Sequence, residues 1–200
     1  MEGWAVAAFA LYLGWAVTAF GVRALIHRRR TGDTGFRGLS DAGGPARWAG
    51  IGFVLAVLAG LAAPVAAMAG LGGIPGADGT PTRVAGLVVA LAGVALTLVA
   101  QSGMGASWRV GVDERERTEL VTGGLFGWVR NPVFTAMVVT AFGLALMVPN
   151  VVALLALVSL VAAVQAQVRV VEEPFLRSVH GAAYEAYTRR TGRFVPGVGR

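Results

Sequence analysis

Glu172 and Glu173 are adjacent carboxylates followed at once by Pro174. A carboxylate here could hold a cation or accept a hydrogen bond from a hydroxyl. Neighbouring helical residues diverge by about 100°, so only one of the two can face a given pocket. Two arrangements fit the spacing. Both carboxylates can be solvated on an interfacial helix, or Glu172 can face inward beside Arg130 or Arg169. Pro174 has no N–H to donate, so a bend is expected there that could fold the tail back over the upstream polar segment. In that segment, Arg130-Asn131-Pro132 has the form of a helix start, with Asn131 as N-cap and Pro132 in the first turn. The same helix end attracts a ligand carboxylate. Gly123-Gly124 supplies a turn, and the alternating charges from Asp113 to Glu119 read as a solvated loop. Tyr184 and Tyr187 are expected to anchor a tail helix, rings at the interface and hydroxyls in water.

Several chemistries are excluded by composition. Cysteine is absent, lysine is absent, and the only histidines are His27 and His180. Thiolate nucleophiles, Schiff bases and Cys- or His-rich metal sites are therefore ruled out or not expected. Hydrophobic residues make up 56% and charged residues 14% of the 200, with mean hydropathy +0.66. That balance is too apolar for a soluble domain or a disordered chain. The net charge of +6 reads as membrane orientation, not nucleic-acid binding.

The elements that must position these residues are membrane spans, each needing about 20 mostly apolar residues. Apolar runs fall at Trp4 to Ile26, Ala49 to Leu71, Val84 to Ser102, Val133 to Val148 and Val151 to Val164. The last two are short and separated only by Pro149-Asn150, so they form a tight helical hairpin. Pro64 should kink the second run. The fold class is an all-α polytopic membrane protein: five transmembrane helices, a tight hairpin between the fourth and fifth, and a C-terminal cytoplasmic helix. Residues 1–107 carry spans one to three. Residues 108–200 carry a polar loop, the hairpin and the tail. Arginines crowd the first loop, the third loop and the tail, while Arg83 stands on the other side. Positive-inside bias makes the arginine-rich side cytoplasmic in the cell membrane and puts the N-terminus outside. Trp48, Trp108 and Trp128 should mark that boundary and Trp4 the opposite one. Gly50, Gly52, Gly60, Gly86, Gly93 and Gly143 recur inside the spans and suit close helix packing. Gln101, Gln165 and Gln167 are the few polar side chains near membrane depth.

The C-terminal half resembles the isoprenylcysteine carboxyl methyltransferase and phospholipid methyltransferase superfamily. The ordered features are Glu119-Leu120-Val121-Thr122-Gly123-Gly124, Arg130, Pro132, Phe134, the Pro149-Asn150 turn, Arg169, Glu172-Glu173, Leu176, Gly181, Tyr184, Tyr187 and Pro196. The resemblance implies S-adenosyl-L-methionine as cofactor and a lipophilic or lipid-modified acceptor from the bilayer, with no metal. Carried over by position, the cofactor residues are Thr118, Glu119, Leu120, Val121, Phe126, Asn131, Pro132, Val133, Phe134 and Glu172. Leu120, Val121, Phe126 and Phe134 would wall the adenine. Asn131 and the fourth helix's N-terminus would hold the cofactor carboxylate. Glu172 would take a cationic or hydroxyl part. Arg169, with Glu172, is the candidate catalytic pair, Arg169 as acceptor contact. Asn131 stands where the family has histidine, Phe134 where it has tyrosine, and Val168 at the family's arginine position.

Other functions stay open at this level. An NADPH-dependent membrane reductase of sterol-reductase-like architecture shares the C-terminal layout. A membrane interaction protein could keep the fold after losing activity. For a methyltransferase, the acceptor could be an isoprenylcysteine carboxylate, a lipid amine, a phenol or a fatty acid.

Overall fold

A computed structural model describes residues 2–37, 44–111 and 119–200. Among these residues the architecture is all-α, without a regular strand. Four helices are long and apolar enough to cross a membrane: α1 Glu2–Thr31, α2 Pro45–Met68, α3 Thr80–Gly103 and α5 Val151–Arg190. Between the last two lies the shorter apolar helix α4 Pro132–Met147. Its 16 residues rise only ~24 Å, less than the ~30 Å of a typical hydrocarbon core.

Breaks in these helices have local causes. In α2 the helix opens at Gly60-Leu61, one turn before Pro64. Pro64 cannot donate to the carbonyl four residues back, which belongs to Gly60. The opening sits against Tyr12 of α1, whose hydroxyl donates to the Val57 carbonyl. Pro149-Asn150 makes the tight α4–α5 turn. The Asn150 side chain accepts from the Ala153 N–H at 2.8 Å and donates to the Ala63 carbonyl at 3.1 Å. Pro174 does not bend the tail as expected. A π-helical turn over Gln167–Glu172 precedes it, and Pro174 then falls in the first turn of the resumed helix, where no N–H is required. The departure from helical geometry comes at Gly181, at φ 49°.

Helices α3 and α4 pack backbone to backbone. An added Cβ at Gly143 would lie 2.3 Å from the Ala90 nitrogen, and one at Gly93 would lie 2.5 Å from the Thr140 nitrogen. Small residues are what allow this approach inside a bilayer. Gly143→Leu should lower stability by about 1–3 kcal/mol or more, since the clash is with main chain. Thermal unfolding in detergent checks this, with the open position Gly14→Leu as a control expected to change little.

The polar segments meet at one end of the bundle. Val110 N–H donates to the Gly35 carbonyl at 2.8 Å and Arg37 N–H to the Val110 carbonyl at 3.0 Å, joining the segment after α1 to that after α3. The chain end returns to the start of α4, where Arg130 and Asn131 N–H donate to the Gly192 and Arg193 carbonyls at 2.8 and 3.1 Å. Trp48 and Trp128 are exposed, as interfacial residues would be. Trp108, expected beside them, is buried, its ring under the Arg23 guanidinium at 5.1 Å and against His27.

Candidate active site

A cavity of about 200 Å³ opens where the polar segments meet the bundle. Its polar end is lined by Glu119, Leu120 and Val121 from the segment after α3, by Phe126, and by Asn131 to Phe134 at the start of α4. Gln167, Val171, Glu172 and Leu176 of α5 form the facing wall. Phe20 of α1 and Arg47, Gly50, Phe53 and Val54 of α2 complete it on the bundle side. Thr118 lies outside the described residues. All the other residues that the sequence resemblance assigns to a cofactor are on this lining.

The π-helical turn decides which carboxylate faces the cavity. Its wider i→i+5 winding brings residues five apart onto one face, and Gln167 and Glu172 both line the cavity. Val168, between them in sequence, is fully buried. Glu172 is only half-buried by surface yet sits in the cavity wall, beyond the apolar stretch of α5 that ends near Ala166. Burial pushes its carboxyl above the ordinary range, against the opposing charge of Arg109. Arg109 itself stacks over the Phe175 ring at 5.1 Å. Arg169 turns away with the same winding. It is exposed, donates from Nε to Gln165 Oε1 at 3.0 Å and does not line the cavity.

Glu173 has a different task. Its carboxylate takes Arg130 Nη2 at 3.0 Å and Arg193 Nε and Nη2 at 2.7 and 2.9 Å. Burial would raise its pKa, but the bonds from Arg193 and Arg130 outweigh this and hold it below the usual carboxylate range. Arg130, buried, also donates to the carbonyls of Thr188, Thr191 and Gly199. The partner of Arg130 is therefore Glu173, and Glu172 is left to the cavity. Tyr184 and Tyr187 do not hold their rings at a water interface. Both are buried, and the Tyr187 hydroxyl donates to the Phe126 carbonyl at 2.6 Å. These contacts clamp the tail onto the start of α4.

Asn131 occupies the N-cap position of α4 without capping it. Its Nδ2 donates to the Arg193 carbonyl at 3.1 Å, and its side chain makes no bond to the first turn of the helix. Two further polar groups come from residues without an assigned role in the sequence reading. Gln101 Oε1 and Gln167 Oε1 are buried with no hydrogen-bond partner among the described residues, and both residues line the cavity. A buried carbonyl oxygen left unpaired costs about 1–3 kcal/mol, so donors on a bound molecule would be favoured here. Their signal in the sequence was isolation, since a lone polar residue at membrane depth marks a functional position. Among the described residues no cluster of histidine, aspartate and glutamate could hold a metal.

Residues 81–183, just over half of the chain, match the phospholipid methyltransferase family. This protein belongs to the phospholipid methyltransferase family. As a member, it carries the implication of methyl transfer, a methyl donor and a lipid or lipophilic substrate at a membrane. The matched residues supply α3, the segment after it, α4 and the cavity-facing part of α5. The walls from α1 and α2 and the tail from Tyr184 onward lie outside the match. No curated protein matches the chain.

Proposed function

We propose that the protein transfers a methyl group from S-adenosyl-L-methionine to a lipophilic acceptor taken from the bilayer. One observation carries this reading. One cavity is lined both by the polar segments on either side of the α4–α5 hairpin and by Phe20, Gly50, Phe53 and Val54 of membrane helices α1 and α2. The polar end has what the donor needs. The uncapped start of α4, with Asn131, receives its carboxylate. Glu172 takes its ammonium or ribose hydroxyls, and Gln101 and Gln167 offer acceptors to further donors. Leu120, Val121, Phe126 and Phe134 give apolar surface to the adenine. Bound there, the donor supplies a sulfonium methyl already activated for displacement. The residues of the chain then have to align the acceptor and exclude water, effects worth up to ~7–11 kcal/mol in well-aligned systems. That suits a site with no cysteine, no lysine and no histidine on its lining.

Arg169 faces away from the cavity, so a headgroup anion is assigned instead to Arg47, which stands on the lining at the start of α2. Arg47→Ala should raise the acceptor KM about two- to fivefold, the worth of a solvent-exposed ion pair, and leave donor affinity unchanged. The arginine-rich ends of the helices face the cytoplasm in this reading, with the N-terminus outside. The test is incubation of the purified protein with native membrane lipids and methyl-labelled S-adenosyl-L-methionine. Label in the organic extract is expected. A protein that binds the donor and labels no lipid lacks the proposed acceptor, and one that binds no donor is an interaction protein with this fold.

A further inference from the structure

A second cavity, of about 40 Å³, lies deeper in the bundle among α1, α2, α4 and α5. It shares one wall residue with the candidate active site, the buried Met137. The two cavities follow the same helix faces. On α4 the lining passes from Val133 and Phe134 through Met137 to Thr140, Ala141, Leu144 and Ala145. On α2 it passes from Gly50, Phe53 and Val54 to Ala56, Val57 and Gly60. Both runs keep the three- and four-residue spacing of a single helix face. From Phe134 to Ala145 the path covers roughly 16 Å along the axis, at 1.5 Å per residue.

The deeper cavity exists because its walls are small. Ala56, Ala63, Ala141, Ala145 and Ala153 leave room that larger side chains would fill, while Gly60 admits the Tyr12 ring against the helix. Its hydroxyls are already used, since Tyr12 donates to the Val57 carbonyl and Thr140 to the Ala136 carbonyl at 2.9 Å. Trp15, also on the lining, has a buried Nε1 without a hydrogen-bond partner among the described residues; the other lining side chains are apolar or already bonded, and such a surface accepts hydrocarbon. The partition is a methionine, an unbranched and adaptable side chain.

We infer that the deeper cavity is a subsite for the end of one hydrocarbon chain of the acceptor, reached past Met137 from the active-site cavity. The inference rests on the methyltransferase reading of the upper cavity. A chain already in the bilayer gains no further hydrophobic transfer by entering, only closer packing. The subsite therefore acts as a register that selects chain length and shape and sets where the headgroup stands.

The experiment uses the full-length protein in nanodiscs containing phosphatidylethanolamine with a diazirine at the end of one acyl chain, and peptide mapping after irradiation. Label is expected on the lining residues Thr140, Ala141, Ala145, Ala56 and Val57. Ala145→Leu, which fills the deeper cavity, should abolish that label while leaving S-adenosyl-L-methionine affinity unchanged. Met137→Ala, which opens the partition, should increase it, so the inference can be read even if the filled variant fails to fold. Label confined to the exposed residues Leu55, Leu58 and Phe142, which are outside the lining, or label unaffected by either substitution, overturns the subsite. Donor titration of the same samples separates the two ideas. Donor binding without internal label removes the subsite, and internal label without donor binding supports the subsite and removes the methyltransferase reading.

Discussion

Glu172→Gln is expected to weaken S-adenosyl-L-methionine binding by tenfold to more than a hundredfold, with the fold intact. Glutamine keeps the size of the side chain and its place beside Gln167 but removes the charge. Hydrogen bonds to charged groups are worth about 1.5–3 kcal/mol, and each 1.4 kcal/mol is tenfold in affinity. Arg109 is the cation that opposes Glu172, and it keeps its stacking over the Phe175 ring in the variant, so thermal stability should change little. Calorimetric titration in detergent reads the affinity. Unchanged affinity would remove Glu172 from donor binding. The raised pKa adds a pH signature. Donor affinity of the wild type should fall on acidification, starting above the ordinary glutamate range, because protonation removes the charge that Glu172→Gln removes permanently.

Glu173→Ala is expected to do the reverse, with a large loss of stability in addition to any effect on binding. Its carboxylate joins Arg130 and Arg193, and Arg130 is buried. Removing one partner of a buried pair leaves an uncompensated charge and costs about 3–5 kcal/mol. Arg130 and Arg193 are also where the tail is tied to α4. Thermal unfolding should therefore shift far more for Glu173→Ala than for Glu172→Gln. Equal shifts for the two variants would contradict the separation of roles between these neighbours.

That separation shows where the sequence stopped being legible. Apolar runs revealed the five helices, because bilayer thickness imposes a length that any reader can count. Close packing could be anticipated from the glycines in the spans, but not which helices make it: Gly86, Gly93 and Gly143 meet at α3–α4, while Gly52 faces open space. Which of two adjacent glutamates faces the cavity depends on the winding at Gln167–Glu172. A π-helical turn has no sequence signature here, and with α-helical spacing Arg169 would have stood nearer the Glu172 face. Pro174 suggested a bend, but one π turn earlier was enough to place it harmlessly in a first turn. The clamp of Thr191 to Gly199 on Arg130 uses backbone carbonyls, which no residue type announces. The α1 and α2 walls come from far upstream in the chain, and Phe20, Arg47 and Phe53 look like ordinary span residues until the helices are assembled.

The central claim is that the segments on either side of the α4–α5 hairpin close around one methyl donor. Amide hydrogen exchange of the nanodisc-embedded protein, with and without S-adenosyl-L-methionine, measures this directly. Binding should slow exchange together in residues 119–134 and 165–176, and both effects should vanish in Glu172→Gln. Protection of one segment alone, or no protection of either at saturating donor, would contradict a shared site.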